Sequence, residues 1–194
     1  MREDDAFLDR LERLVLSRGF AGLTVAEIAR ELRCSRRRVY AAASSKDALI
    51  LTVIERFFAG VRAEGDARAA TAAPIERRIR AYFQPGVEGA LRLSPAFQRD
   101  IAADAEGRAI YDRHQRLRTE GLERLIEEGI AAGELRDVNA RVAAEMMLAT
   151  VQRIRTPEFQ ATTGLSYARA LADAYALLRH GLEAPLRERV RRVG

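Results

Sequence analysis

The sequence has very little of the residue types that most catalytic and metal sites use. Its 194 residues include one cysteine, no tryptophan and two histidines. The single cysteine, Cys34, excludes an intrachain disulfide and agrees with a reducing compartment. The two histidines lie far apart, and the chain has neither a glycine-rich phosphate loop nor a paired metal-ligand motif. We therefore expect a protein that is not an enzyme and that needs neither a cofactor nor a metal.

Long hydrophobic runs are missing as well. No apolar stretch reaches about 18 residues, the length needed to cross a membrane as a helix. The N terminus carries Glu3, Asp4 and Asp5, whereas a signal peptide begins with positive charge. We expect a cytoplasmic protein with no membrane partner.

Basic residues are unevenly spread. The net charge is +5, which favours a polyanionic partner over an acidic substrate. Between Thr24 and Lys46 the chain has six basic residues against two acidic ones. Arginine supplies every other basic residue of the chain, so Lys46 stands out as its only lysine.

Every long segment has apolar residues at helical spacing, and no alternating run indicates a strand. The pattern predicts an all-α protein of about nine helices. The longest, helix 7 at about 108–132, is predicted to bury a stripe of Ile110, His114, Leu117, Gly121 and Leu125. Helix 4 is predicted at about 45–63, followed by a domain boundary at 64–67. Helix 5 is predicted to open at Pro74 and to be broken or kinked at Pro85-Gly86, and helix 6 to end near Gly107. An apolar helix 8 over 142–151 and an alanine-rich helix 9 over 166–180 are predicted next.

Two short helices joined by a tight turn are predicted between residues 24 and 43. Thr24 and Glu27 form the spacing of a capping box, which opens the first helix. Ser35 is placed to cap the second, in which Val39 and Tyr40 are predicted to face inward. Its first residues, Arg36, Arg37 and Arg38, are predicted to face outward. Cations at a helix N terminus oppose the helix dipole, so they favour an external anion such as DNA phosphate.

Several residues of this region resemble the TetR (tetracycline repressor) family of bacterial transcription regulators over about residues 6–55. They are Gly19-Phe20, Leu23-Thr24-Val25, Ile28-Ala29, Ser35, Tyr40 and Ser45-Lys46-Asp47-Ala48-Leu49. The family usually has a glycine where this chain has Arg33, and aromatic residues or histidine where Ala41-Ala42-Ala43 stand. The resemblance implies a three-helix, helix-turn-helix DNA-binding domain at 1–50 and a helical ligand-binding and dimerisation domain at 51–194, with helix 4 linking the two.

The resemblance and the charge pattern together imply a homodimer that binds double-stranded DNA at a palindromic operator. The expected contacts to bases and phosphates are Thr24, Ser35, Arg36, Arg37, Arg38, Tyr40 and Lys46. Alanine on helix 9 permits close packing, and helix 8 is apolar nearly all round, which requires burial on all sides. Helices 8 and 9 are therefore expected to form the bundle shared by two subunits.

A small, largely apolar effector is expected between helices 5, 7 and 8 of the second domain. Candidate lining residues are Tyr82, Phe83, Phe97, Tyr111, His114, Met146, Met147 and Gln152, although aromatic residues and methionine on helices also fill ordinary cores. An alternative is a DNA-organising or protein-binding module of the same fold without an inducer. Cys34 is expected to be buried in the turn, and an oxidation sensor beside Arg33 and Arg36 is the alternative.

Overall fold

The computed structural model describes residues 2–183 of the chain. That part contains ten α-helices, and its only β-type pairing is an isolated bridge between Leu135 and Glu183. The all-α prediction is confirmed. The helices are α1 (Arg2–Arg18), α2 (Val25–Glu31), α3 (Arg36–Ala42), α4 (Lys46–Thr71), α5 (Ile75–Leu91), α6 (Pro95–Ala103), α7 (Ala105–Ala131), α8 (Ala140–Ile154), α9 (Pro157–Thr163) and α10 (Tyr167–Leu182). Within the described residues, no helix has the length and apolar character required to cross a membrane.

The chain divides into two compact units that are not simple halves of the sequence. Unit 1 comprises Met1–Gly60 and Arg92–His114, and unit 2 comprises Val61–Leu91 and Gln115–Gly194. Helices α4 and α7 each continue from one unit into the other. The division into 1–50 and 51–194 stays a prediction, and its last eleven residues lie outside the described part.

Three helix assignments made from the sequence are wrong. Helix α4 continues through the predicted boundary at 64–67, and α9 is an additional short helix that begins at Pro157. Helix α6 ends at Ala103, because Asp104 begins the next helix by accepting a hydrogen bond from the Gly107 N–H at 2.6 Å. Of the two alternatives predicted at Pro85-Gly86, the break does not occur, since α5 runs through both residues.

The turn of α5 that precedes Pro85 packs closely against α7. Proline has no N–H, so the carbonyl of Ala81 has no helical donor. Arg118 of α7 donates a hydrogen bond from Nη2 to the next carbonyl, that of Tyr82, at 3.1 Å. Gly65 and Gly121 allow close approach, because a Cβ at Gly65 would lie 3.0 Å from the Tyr82 carbonyl oxygen and a Cβ at Gly121 would clash with the Tyr82 hydroxyl.

In unit 1, helix α6 packs on α1 and contacts the turn that follows α1. Phe97 of α6 is fully buried, and its ring meets that of Phe20 edge to face at 6.0 Å. The Asp100 carboxylate accepts hydrogen bonds from the N–H groups of Phe20 (2.5 Å) and Ala21 (2.9 Å). Gly19, at φ 77°, makes this turn possible, because side-chain-bearing residues rarely adopt positive φ. Asp100 therefore fixes the path of the chain into α2.

Replacing Asp100 by alanine should lower the free energy of unfolding by about 1–3 kcal/mol, because two backbone donors lose their acceptor. Asp100→Asn keeps one acceptor oxygen and should lose less. Arg99→Ala, at the exposed neighbouring position, is the control and should change stability by no more than about 0.5 kcal/mol. Urea denaturation measures all three, and equal stability of Asp100→Ala and Arg99→Ala would contradict the assignment.

Candidate functional site

Helices α2 and α3 form the predicted helix-turn-helix pair, and the start of α2 is as expected. Thr24 Oγ1 accepts a hydrogen bond from the Glu27 N–H at 3.2 Å, and Glu27 Oε2 accepts one from the Thr24 N–H at 2.9 Å. The predicted capping box is confirmed. Its hydrogen bond from the Thr24 backbone lowers the pKa of the Glu27 carboxyl. Ile28 and Ala29 are buried, so α2 is anchored by the face that the spacing indicated.

Helix α3 is anchored by a serine cap and by one buried side chain. Ser35 Oγ accepts a hydrogen bond from the Arg38 N–H at 3.1 Å, as predicted. Val39 is the buried residue of the helix. Arg36 and Arg37 are exposed at its N-terminal end, and within residues 2–183 neither forms an ion pair or a side-chain hydrogen bond. The structure therefore presents two adjacent guanidinium groups to solvent on a short, rigidly anchored helix.

Arg38 does not share this exposed position, and the prediction that all three arginines face outward is wrong. Its Nη2 donates to Asp4 Oδ1 at 2.6 Å, and its guanidinium lies over the Phe7 ring at 4.7 Å. Residues 36 and 38 are separated by about 200° around a helix, which turns Arg38 toward α1. Arg38 joins α3 to α1, so among the three arginines it is the least accessible to an external anion.

Tyr40 is not part of the core. Its side chain is 59% exposed, whereas the sequence pattern placed it inward with Val39. A single buried residue is enough to anchor a helix of seven residues, and the adjacent residue then lies about 100° away around the axis. The Tyr40 hydroxyl is consequently on the solvent side of α3, where it can donate to an anion.

Lys46 begins α4, as predicted, and is half-buried. Its Nζ lies 3.2 Å from Asp47 Oδ1. Ser45 caps the same helix, since its Oγ accepts a hydrogen bond from the Ala48 N–H at 3.0 Å. The exposed ion pair is worth little, so an external phosphate can replace Asp47 at small cost.

The turn between α2 and α3 contains a residue in the left-handed region. Arg33 has φ 52°. It stands at the position where the TetR family usually has a glycine. The next residue, Cys34, donates its N–H to the carbonyl of Ala29 at 2.9 Å and is half-buried rather than buried. The turn therefore keeps the usual glycine conformation with an arginine in it.

Arg33→Gly should raise the free energy of unfolding by about 0.5–1 kcal/mol. The left-handed conformation costs a residue with a Cβ about 1–2 kcal/mol, and glycine removes this cost. About half of the stabilisation is lost again, because glycine has greater conformational freedom in the unfolded chain. Arg30→Gly is the matched control, because Arg30 lies inside α2, and it should lower stability by about 1 kcal/mol. Thermal or urea denaturation distinguishes the two signs, and destabilisation by both substitutions would contradict the strain at Arg33.

The eight candidate pocket residues are divided between the two units. Phe97, Tyr111 and His114 are buried in unit 1, where the His114 ring stacks on Phe58 at 4.7 Å. Tyr82 and Phe83 are buried in unit 2, and Phe83 stacks on Tyr175 at 3.8 Å. On α8, Met147 is buried, whereas Met146 is 63% exposed and Gln152 is exposed. The pocket that these residues were expected to line stays a prediction.

Helix α8 is open on one side in a single copy of the chain, so its burial on all sides by a second copy stays a prediction. Val142 and Met146 of α8 and Leu177 of α10 are exposed, Leu177 to 75%. They belong to an open, almost entirely apolar groove of about 720 Å³ in unit 2. The groove is lined by Val138, Asn139, Val142, Ala143, Met146, Met147, Thr150, Ile154, Phe159, Leu165, Ala170, Asp173, Ala174, Leu177, Leu178, Gly181 and Leu182.

Arg118, a buried polar residue of unit 2, is not among the residues predicted from the sequence. Its side chain is on the buried face of α7, and the residue is only 5% exposed. The predicted stripe passed through Leu117 instead, which is 41% exposed. The signal was present in the spacing, because Arg118 lies four residues from both His114 and Leu122, and both of these are buried.

The Arg118 guanidinium is only partly satisfied. Nη2 donates to the Tyr82 carbonyl, and the group lies over the Tyr82 ring at 4.7 Å. Nη1 is buried without a hydrogen-bond partner. Burial by itself lowers the pKa of Arg118, but the hydroxyl groups of Tyr175 and Tyr82 hold that pKa above its ordinary value, so the charge is retained. An unsatisfied buried donor costs about 1–3 kcal/mol, and more when it is charged.

Residues 7–53, which contain α2, α3 and the start of α4, match the family model described as "Bacterial regulatory proteins, tetR family". The segment is a TetR-family domain. The resemblance noted from the sequence is thereby confirmed, and so is the helix-turn-helix assignment. The match covers the exposed arginines of α3 as well as the caps of α2, α3 and α4, so the TetR-family domain contains every candidate DNA contact.

Solved structures extend the TetR-family likeness to the whole fold. A putative transcriptional regulator from Saccharomonospora viridis in complex with choline is 16% identical, with 95% of this chain and 99% of that chain covered and a TM-score of 0.75. A TetR-family transcriptional regulator from Agrobacterium tumefaciens is 18% identical, with 94% and 98% covered and a TM-score of 0.72. The fatty acid degradation regulator FadR from Bacillus halodurans is 15% identical, with 94% and 97% covered and a TM-score of 0.70. No curated protein matches by sequence.

Proposed function

We propose that this protein is a homodimeric, sequence-specific DNA-binding regulator, a repressor that leaves a palindromic operator when a small ligand binds. The observation that carries the proposal is the pair of exposed guanidinium groups of Arg36 and Arg37 on an anchored α3. Arginine can donate two hydrogen bonds to guanine O6 and N7, and it can also hold phosphate. One of the pair reads a base edge in the major groove and the other binds the backbone.

The remaining contacts position the domain on the duplex. The Tyr40 hydroxyl and the Lys46 ammonium are placed to bind phosphate oxygens on either side of the groove. Thr24 and Ser35 are primarily helix caps and add phosphate contacts through the same ends of α2 and α3. Arg38 is proposed to act by fixing α3 against α1. These contacts supply affinity that is independent of sequence, whereas specificity comes from the arginine at the base edge.

A second copy of the chain is the proposed occupant of the apolar groove. The groove is formed by α8 and α10, which correspond to the helices 8 and 9 expected at the subunit interface. Val142, Met146 and Leu177 place large apolar side chains in solvent on one face, and contiguous patches of this kind mark interaction sites. Two copies that pair these faces about a two-fold axis present two α3 helices, which matches a palindromic site.

Ligand response is supported by the fold of the choline-bound structure from Saccharomonospora viridis, which shows that this architecture holds a small molecule. A ligand releases DNA only if it binds the DNA-free state more tightly, and DNA must then weaken ligand binding by the same factor. The expected coupling is about 1–3 kcal/mol. A DNA-organising module without an inducer, the alternative, lacks this coupling.

Selection of binding sites from random duplex DNA tests the proposal. The expected result is enrichment of one inverted repeat, with the two half-sites about one helical turn apart. Arg36→Ala combined with Arg37→Ala is the matched control and should enrich no sequence. Recovery of unrelated sequences by the unmodified protein would contradict sequence-specific binding.

A further inference from the structure

The core of unit 2 contains a permanent cation for which the chain provides no counter-ion. Among residues 2–183, no aspartate or glutamate forms an ion pair with Arg118, although arginines elsewhere in the described chain form many. Arginine remains charged at all physiological pH values. A buried charge without a partner is destabilising, and burial of such a group normally requires a compensating anion. Unit 2 therefore lacks one negative charge near Nη1.

The surroundings of Arg118 are small and aromatic. A Cβ at Gly65 would lie 3.3 Å from Nη1, and a Cβ at Gly86 would lie 3.3 Å from both Nη2 and the Tyr175 hydroxyl. Two glycines therefore allow the backbones of α4 and α5 to approach the guanidinium closely. Beyond them, the rings of Phe83 and Tyr175 are stacked 3.8 Å apart and provide an apolar wall.

We infer that unit 2 binds an organic carboxylate with an apolar body, and that Arg118 is the residue that binds its carboxylate group. Nη1 donates to one carboxylate oxygen, and the Tyr175 hydroxyl is placed to donate to the other. The apolar body packs against the aromatic side chains around Tyr82 and Phe83. Such a ligand supplies both the missing hydrogen-bond acceptor and the missing negative charge. This inference rests on the proposed ligand response and specifies its ligand as an acid.

The test compares an acid with the corresponding neutral alcohol. Thermal denaturation and calorimetric titration are carried out on the full chain with octanoate, octan-1-ol and inorganic phosphate. The variants are Arg118→Met, which has similar length and no charge, and Arg116→Met, an exposed control two residues away on the same helix. A charged hydrogen bond in a buried site makes the expected preference for octanoate over octan-1-ol about tenfold or more.

In Arg118→Met, the affinity for octanoate should fall about tenfold or more, while the affinity for octan-1-ol should not change. Arg116→Met should bind octanoate as tightly as the unmodified protein does. The melting temperature of ligand-free Arg118→Met serves as the control for folding, because the substitution removes both an unpaired buried charge and the hydrogen bond to the Tyr82 carbonyl. If Arg118→Met fails to fold, two other measurements test the role of Arg118. They are the octanoate affinity of Arg118→Lys and the ratio of octanoate to octan-1-ol affinity in the unmodified protein.

Three results would overturn the inference. They are equal affinity for octanoate and octan-1-ol, binding of phosphate as tight as that of octanoate, and the absence of octanoate binding. None of these titrations contains DNA, so they leave the proposed DNA-binding function untouched. Conversely, octanoate binding that depends on Arg118 but does not alter operator affinity supports the acid site and removes the induction mechanism.

Discussion

Replacing Arg37 by alanine should weaken binding to the selected operator by about 1–3 kcal/mol and relax the preference at one base pair. The side chain is exposed at the start of α3 and has no protein partner in the described part of the chain, so its donors are free for a base edge. Fluorescence anisotropy with the operator and with single-base variants measures both effects. If the variant keeps the same base preference at every position of the operator, Arg37 does not read a base.

Lys46→Ala is the matched comparison, because Lys46 is expected to bind phosphate only. It should weaken binding to all sequences alike and reduce the slope of log affinity against log salt by about one unit. Arg38→Ala is the structural control, since the loss of its Asp4 and Phe7 contacts should lower stability. Identical behaviour of the Arg37 and Lys46 variants would contradict the separate roles assigned to them.

Ala174→Glu should convert the dimer into a monomer. Ala174 lies in the apolar groove of α8 and α10, and a carboxylate buried at each of the two symmetry-related positions would lose its hydration without a partner. The operator affinity should fall by orders of magnitude at low protein concentration, because two linked half-site contacts become independent.

Ala176→Glu is the control for this substitution, because Ala176 is exposed on α10 and does not line the groove. Sedimentation velocity at micromolar concentration should show a dimer for the unmodified protein and for Ala176→Glu. A stable monomer of the unmodified protein would contradict the proposed interface. A dimer of Ala174→Glu would place the interface elsewhere.

Local signals in the sequence were sufficient for the helix-turn-helix motif. The starts of α2 and α3 depend on cap hydrogen bonds that span only three residues, made by Thr24, Glu27 and Ser35. The spacing of these residues was therefore sufficient to predict both starts. The end of α1 also has a local signal, because the next residue, Gly19, has a positive φ. Family resemblance covered the same region and no more, since residues 7–53 carry the match.

The predictions that failed depended on contacts between distant segments. The turn before Pro85 contacts α7, where Arg118 Nη2 donates to the Tyr82 carbonyl at 3.1 Å. Tyr40 and Arg38 exchanged their expected positions because α1 lies beside one face of α3.

The predicted stripe of α7 was wrong at one position. Leu117 is exposed, whereas the neighbouring Arg118 is buried, and apolar periodicity cannot detect a buried arginine. The ligand pocket stays a prediction, because periodicity shows that a helix has a buried face but not which neighbour covers it.

Hydroxyl-radical footprinting of the selected operator tests the central claim most directly. A dimer that places α3 of each subunit in successive major grooves should protect two symmetric regions about 10–10.5 base pairs apart on one face of the duplex. Arg36→Ala combined with Arg37→Ala should abolish both regions at once. Protection of a single asymmetric region, or uniform protection that survives the double substitution, would contradict a dimeric repressor that reads DNA through α3.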